Sequence, residues 1–299
     1  MAQGLLCDLC TKTIQFVKNI LTSESFINTH KKSPTDFTRK RSLPFYTTIV
    51  FLMNQLRSSL QNELDIFFKQ INKTDVPERK VTASALCQAR QKLKHETFVY
   101  LNQSISRHFY QGYSYKTWHG LRLLAFDGSM VRIPRSDDCR EYFGKAVPLS
   151  WGTSPLARVS ANKMAIAQQF LASGLKEQIL ELTPSSDAKE TCLESVKQDF
   201  FARIFMSNLT SIVAFPTHDT VQENHRNSRL EYKINRTQAL AKMRNCGILL
   251  FFRKNIHLLI DKIHALFIQN VSAVRNGRTF PRKFKSPPKK YAFSYKPIS

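Results

Sequence analysis

Apolar positions between residues 43 and 71 recur at three- and four-residue steps. Ile49, Leu52, Met53, Leu56, Leu60, Leu64 and Phe67 share one stripe, so the pattern predicts a helix with a single buried face. An earlier helix is predicted over 11–27, and "HKKSPTDFTRKRSLP" between the two reads as a basic, Pro-marked linker. The polar, Pro-containing "NKTDVPERK" ends the second helix. The stretch "VTASALCQARQKLKHETFVYLNQSISRHFY" then predicts two short helices. Thr82 is the N-cap candidate of the first, with Ala85, Leu86, Ala89 and Leu93 facing inward. Phe98, Leu101, Ile105 and Phe109 mark the inner face of the second.

From Leu121 the period changes to two. In "LRLLAFDGSMVRIP" an apolar run ends at Asp127-Gly128, a strong turn signal, and a second strand returns. Helical spacing resumes at about residue 163 with "NKMAIAQQFLASGLKEQILEL". In "CLESVKQDFFARIFMSNLTSIVAF" a broad apolar face holds Leu193, Val196, Phe200, Ile204, Phe205, Leu209 and Ile212. Asn235, with Gln238 three residues on, opens a further short helix, and 247–270 reads as the last long one.

Charge changes the picture more than composition does. Hydrophobic residues make up 42% of the 299, enough for a sizeable core, and this excludes a wholly disordered chain. Lys and Arg number 45 against 22 Asp and Glu, a net +23. Such a surplus points to a polyanion, nucleic acid first, with an anionic membrane surface or a ribosome-like assembly as the other possibilities. Arg90, Lys92, Lys94 and Arg107 lie between and beside the two short helices, and that arrangement suits a helix-turn-helix-like DNA reader. An ordinary helical hairpin with solvated charges has the same pattern. The tail after Val274 has no acidic residue. There Arg278, Arg282, Lys283, Lys289 and Lys290 alternate with Phe280, Phe284, Tyr291 and Phe293, a mixture that can bind phosphate and stack on bases.

The six cysteines are scattered, apart from Cys7 and Cys10, and no second pair completes a zinc motif. The first residues lack the basic start and apolar core of a signal peptide. The apolar stretch "GILLFFRKNIHLLIDKIHALFI" is broken by Arg253, Lys254, Asp261 and Lys262, so no membrane span is expected. These features predict a cytoplasmic protein with reduced thiols.

Several stretches taken together resemble the DDE transposases of bacterial insertion sequences, the IS-four family. They are "VTASALCQARQKLKHETF", "LLAFDGSMVRIPRSDDCREYFG" with "PLARVS" after it, "SVKQDFFARIFMSNLTSIVA", "INRTQALAKM" and "RNGRTFPRKFKSPPKKYAFSYK". Their order matches, and they cover the chain from about residue 77 to 296. The resemblance implies an RNase H-like core in which three carboxylates hold two Mg²⁺ ions for in-line attack on a DNA phosphodiester. It also implies transposon terminal repeats as the DNA partner. By "FDGS", Asp127 is carried over as the first catalytic carboxylate and metal ligand.

The other two carboxylates are missing from the pattern. No Asp-Arg-Gly-Tyr strand occurs, and no Tyr, Arg, Glu and Lys stand at the intervals of the family's Tyr-x-x-Arg-x-x-x-Glu-x-x-x-x-x-x-Lys helix. Only Ala161 to Glu194 separate two matches between which relatives hold much of the core. The expectation is therefore a truncated, catalytically defective transposase with Mg²⁺ bound weakly or not at all. Two alternatives stay open. One is a non-catalytic DNA-binding remnant or regulator that occupies transposon ends or poisons a full-length transposase. The other is an RNA-binding basic protein.

The expected fold is mostly α with a small β-hairpin, a helical N-terminal DNA-binding part and a truncated RNase H-like core. The expected divisions are a helical N-terminal segment over 1–76 and the helix-turn-helix-like part over 77–118. The core remnant follows over 119–270 and the basic tail over 271–299.

Overall fold

A computed structural model of the chain describes residues 2–39, 41–54, 58–115, 117, 119–120 and 190–275. The predicted hairpin at Asp127-Gly128, the helix from about 163 and the basic tail lie outside the described residues. Within them the fold is mostly helical. The helices are α1 (Ala2–Thr22), α2 (Glu24–His30), α3 (Phe45–Met53), α4 (Leu60–Asn72), α5 (Ala83–Arg90) and α6 (Glu96–Gly112). After the undescribed segment come α7 (Glu190–Ala214), α8 (Thr217–Asn224), α9 (Arg236–Phe252) and α10 (His257–Gln269). Two short strands, β1 (Tyr232–Ile234) and β2 (Val271–Ala273), pair antiparallel with Tyr232 opposite Ala273 and Ile234 opposite Val271.

Residues 1–114 and 194 onward belong to one compact unit, so segments far apart in sequence share a core. The chain from α1 to α6 supplies one part of it and the chain from α7 to α10 the other. α1 packs on α6 and α10, and α9 packs on α10, α3 and α4. Fully buried Phe51, Phe67, Phe98, Phe205 and Phe267 come from five different helices. Edge-on ring pairs such as Phe51–Phe67 at 5.2 Å and Phe67–Phe252 at 5.8 Å link α3, α4 and α9, the geometry the ring quadrupoles favour. Two polar bonds pin the two parts further, and a third lies within the second part. Tyr46 Oη donates to Phe251 O at 2.7 Å, Lys18 Nζ to Arg253 O at 2.8 Å, and His264 Nε2 to Val213 O at 2.9 Å. Cys10 is buried beside the last of these, its Sγ 3.8 Å from His264 Nε2.

Several boundaries differ from the periodicity reading. The helix expected over 11–27 stops at Thr22, because Ser23 accepts from Phe26 N and starts α2 anew. The single helix expected over 43–71 is two. Ser59 caps α4 by accepting from Asn62 N, and Glu63 binds the Ser58 backbone and hydroxyl at 2.9 and 3.0 Å. Hydrophobic spacing alone is blind to such a reset, since the stripe continues across it. Asn235 does cap α9, with Gln238 N 3.1 Å from its side-chain oxygen. Yet α9 runs unbroken through Gly247 to Phe252, and the break falls at 253–256 instead. Gly247 has ordinary helical backbone, and its bare Cα faces the sulfur-bearing side chains of Met243 and Met206. β1 and β2 then tie the start of this α9–α10 pair to its end, helped by Asn235 Nδ2 donating to Ser272 Oγ at 3.0 Å.

A methyl group added at Gly247 would meet Met243 Cε at 3.4 Å and Met206 Cε at 3.7 Å, an ordinary contact with flexible ends. Gly247→Ala is therefore expected to stabilise the fold by up to about 1 kcal/mol through helix propensity. A urea titration checks this, and a lower midpoint would contradict the packing described.

Candidate nucleic-acid interface

The α5–α6 pair is built from both sides. Thr82 caps α5 by accepting from Ala85 N at 3.2 Å, as its position suggested. Gln61 of α4 steadies the same end, accepting from Ala83 N and donating to Val81 O, both at 2.9 Å. Leu86, Ala89 and Leu93 are buried as expected, as are Phe98, Leu101 and Ile105 of α6, while Ala85 is exposed.

The junction at 91–95 is fastened by α7. Gln198 is 1% exposed, and its amide donates to Arg90 O at 2.9 Å and Leu93 O at 2.6 Å. Its oxygen accepts from Arg90 Nε at 3.1 Å. Arg90 Nη2 reaches Ser195 O and Asp199 Oδ1, each at 2.8 Å. A helix end that leaves carbonyls without partners in its interior is costly, and one buried amide answers that need here. One turn earlier on α7, Glu194 accepts from the His95 backbone at 2.7 Å and from His95 Nδ1 at 3.0 Å. Burial works to raise the Glu194 pKa, but the hydrogen bonds and charge of His95, with Lys32 nearby, outweigh it and hold the carboxyl below its usual range.

The linker after α2 fastens the other side of the junction. Lys31 and Leu93 form an antiparallel bridge, in which Lys32 N donates to Lys92 O at 2.9 Å and Lys94 N to His30 O at 3.0 Å. Lys94 Nζ turns back to Thr29 O at 2.8 Å, so it closes the C-terminal end of α2. Lys92 Nζ lies 3.8 Å from Asp36.

The four basic residues singled out on this pair thus have different settings. Arg90 is 11% exposed and its guanidinium is spent on α7. Lys94 serves α2, Lys92 is half-exposed beside Asp36, and Arg107 is exposed on α6. Asp127, Arg278, Arg282, Lys283, Lys289 and Lys290 lie outside the described residues. The bridge between the linker and the junction had no signal in the sequence beyond the basic character of both segments. Gln198 likewise looked like one polar residue on a helix.

Among the described residues, ligand atoms of His95, Glu96 and Glu194 lie within 4.8 Å of one another and could hold one ion. An imidazole with two carboxylates suits a borderline ion such as Zn²⁺ better than a pair of Mg²⁺ ions. The hydrogen bonds from His95 to Glu194 already account for the arrangement without an ion. This set does not include Asp127.

Gln198→Leu keeps the volume but strands two carbonyls and Arg90 Nε, so a loss of about 3 kcal/mol is expected in urea unfolding. Glu194 has a depressed folded pKa. Its contribution to stability is therefore complete above the unfolded carboxylate pKa of about 4.3 and is lost as the pH falls through the folded value. The stability gap between the native protein and Glu194→Gln should accordingly narrow as the pH falls below about 4.3. A gap that did not change with pH would show that the His95 contact is not ionic.

No family model matches this chain, and no curated protein or solved structure matches it either.

Proposed function

We propose that this protein is a DNA-binding, transposase-like chain that has lost the strand-cleavage chemistry of the insertion-sequence enzymes it resembles. The observation that carries the binding half is the net charge of +23 and its clustering around 31–41, 90–107 and 275–296. Duplex DNA is the polyanion that the ordered motif matches name, and terminal repeats are its natural form there. Each phosphate contact releases counterions, so affinity for such a partner comes from spread-out Lys and Arg more than from any single pair.

The catalytic half rests on arithmetic of charge. Two Mg²⁺ ions held close together repel, and three carboxylates are what make holding both favourable. Only Asp127 stands in the family's pattern. One carboxylate leaves most of the repulsion and dehydration cost uncompensated, so neither the attacking nor the leaving oxygen would be stabilised. Such a chain would occupy DNA ends or compete with a full-length transposase. No helix among the described residues is long and apolar enough to cross a membrane.

Binding of the purified chain to fluorescent duplex DNA should weaken steeply with salt. For about four phosphates the log–log slope is expected near −3.6, at ~0.9 per contact. An affinity unchanged between low and physiological salt, or tighter binding to a matched RNA duplex, would remove DNA as the partner. With labelled duplex and Mg²⁺ or Mn²⁺ no nicking is expected, and nicking abolished by Asp127→Ala would refute the loss of catalysis.

A further inference from the structure

α6 carries an outer face of exposed residues. Glu96, Tyr100, Gln103, Arg107 and Tyr110 are all exposed and recur at steps of four, three, four and three residues, which places them in one line. On the opposite side Phe98, Leu101, Ser104 and Ile105 are buried. Tyr100 is 47% exposed and Tyr110 39%, which puts both among the exposed large side chains of the described residues. A solvent-facing stripe on an ordinary helix is usually Lys and Glu. This one holds two tyrosines, a glutamine and an arginine, with its one acid at the end of the line.

The basic bridge meets this face at its N-terminal end. The Tyr100 ring lies 5.4 Å from that of Phe26 and 5.5 Å from that of His30, both on α2. His30 O is the acceptor of Lys94 N, so Tyr100 sits over the same α2 end that the bridge ties down. The linker segment 31–41 holds five Lys or Arg against one Asp, and Lys32, Arg39 and Arg41 are exposed. The acids facing the bridge are already engaged: Asp36 accepts from Ser33 N at 3.0 Å, and Glu194 is bound by His95. Backbone pairing therefore places like charges together, with Asp36 3.8 Å from Lys92 and Glu194 near Lys32 as their acid neighbours. Proximity of that kind is unfavourable alone and becomes favourable against a polyanion.

We propose that the outer face of α6 and the bridged strip at its N-terminal end form one contact surface for duplex DNA. Lys31, Lys32 and Lys92 lie on phosphates, and Tyr100, Gln103 and Arg107 run along the major groove. The inference rests on the DNA-binding reading above and assigns it a place. A helix of 17 residues is about 25 Å long and narrow enough for that groove. Arginine pairs with guanine and glutamine with adenine through two hydrogen bonds each, while a tyrosine hydroxyl serves a phosphate. Arg90 is no part of the surface, because its guanidinium holds α7.

The full chain is tested on a fluorescent mixed-sequence duplex and, separately, on anionic vesicles of phosphatidylserine and phosphatidylcholine. Three variants are compared with it: Lys31→Gln with Lys32→Gln, Gln103→Ala with Arg107→Ala, and a control, Lys254→Gln with Lys262→Gln. The control removes the same charge from exposed positions near and on α10. The strip variant should bind about tenfold more weakly and lose about 1.8 from the salt slope, at ~0.9 per contact. The face variant should also lose about tenfold, and the control less than twofold. If the native chain binds DNA while both variants behave like the control, the surface assignment falls and the DNA-binding reading stands. If the native chain does not bind duplex DNA, both fall. Vesicle binding that is lost in the strip variant, without a matching loss on DNA, would make this a membrane-facing surface and overturn the assignment. Should a variant unfold early, protection of Lys31 and Lys32 from amine acylation by bound duplex decides the matter, and unprotected lysines count against it.

Discussion

The buried side chain of Gln198 is the contact on which the arrangement of the two parts turns. Its amide donates to two carbonyls of the α5–α6 junction and accepts from Arg90, across more than a hundred residues of chain. A fully buried amide satisfied by backbone has one allowed place, because any slip of α7 along the junction leaves donors and acceptors stranded. Glu194 and Asp199 repeat the fastening on either side, through His95 and Arg90. The spacing Glu194–Ser195–Gln198–Asp199 is one face of a helix, so a single turn and a half of α7 fixes the whole junction.

That fastening decides what the basic residues are free to do. Arg90 is a structural cation, because its fork of donors is matched to α7 before any partner arrives. Lys94 caps α2. The charge left for a partner sits on the other side of the junction, on the linker that pairs with it through Lys31 and Leu93. Basic character in this protein is thus divided between holding helices together and facing outward, and the division follows which backbone each residue is tied to.

Two further features follow from the same economy of polar groups. The α9–α10 pair is closed by the short β1–β2 ladder rather than by a tight loop, so both its ends leave from one place. Lys18 and Tyr46, half-buried near the end of α9, each donate to a carbonyl there, which allows the break at 253–256 to lie against the core. Burial raises the pKa of Tyr46, which keeps the proton on its donating hydroxyl, and lowers that of Lys18.

Sequence by itself determined the helical character, the inner faces of α5 and α6 apart from Ala85, the caps at Thr82 and Asn235, and the surplus of positive charge. Each is local: a period of 3.6, a side-chain oxygen three residues from an amide, a sum over the chain. Where a cap interrupts a continuous apolar stripe, as Ser59 does, the same local reading ran two helices together, because the stripe carries no record of the interruption. The resemblance named one carboxylate, Asp127, and the described residues hold neither it nor the tail. Only the tertiary structure decided that Arg90 faces α7, that the basic linker pairs with the α5–α6 junction, and that Gln103 and Arg107 are exposed while the Tyr100 ring rests against Phe26 and His30. Those facts depend on hydrogen bonds between residues some 60 to 110 positions apart. No periodicity encodes such a pairing, since it is selected by which buried donors and acceptors can all be satisfied at once.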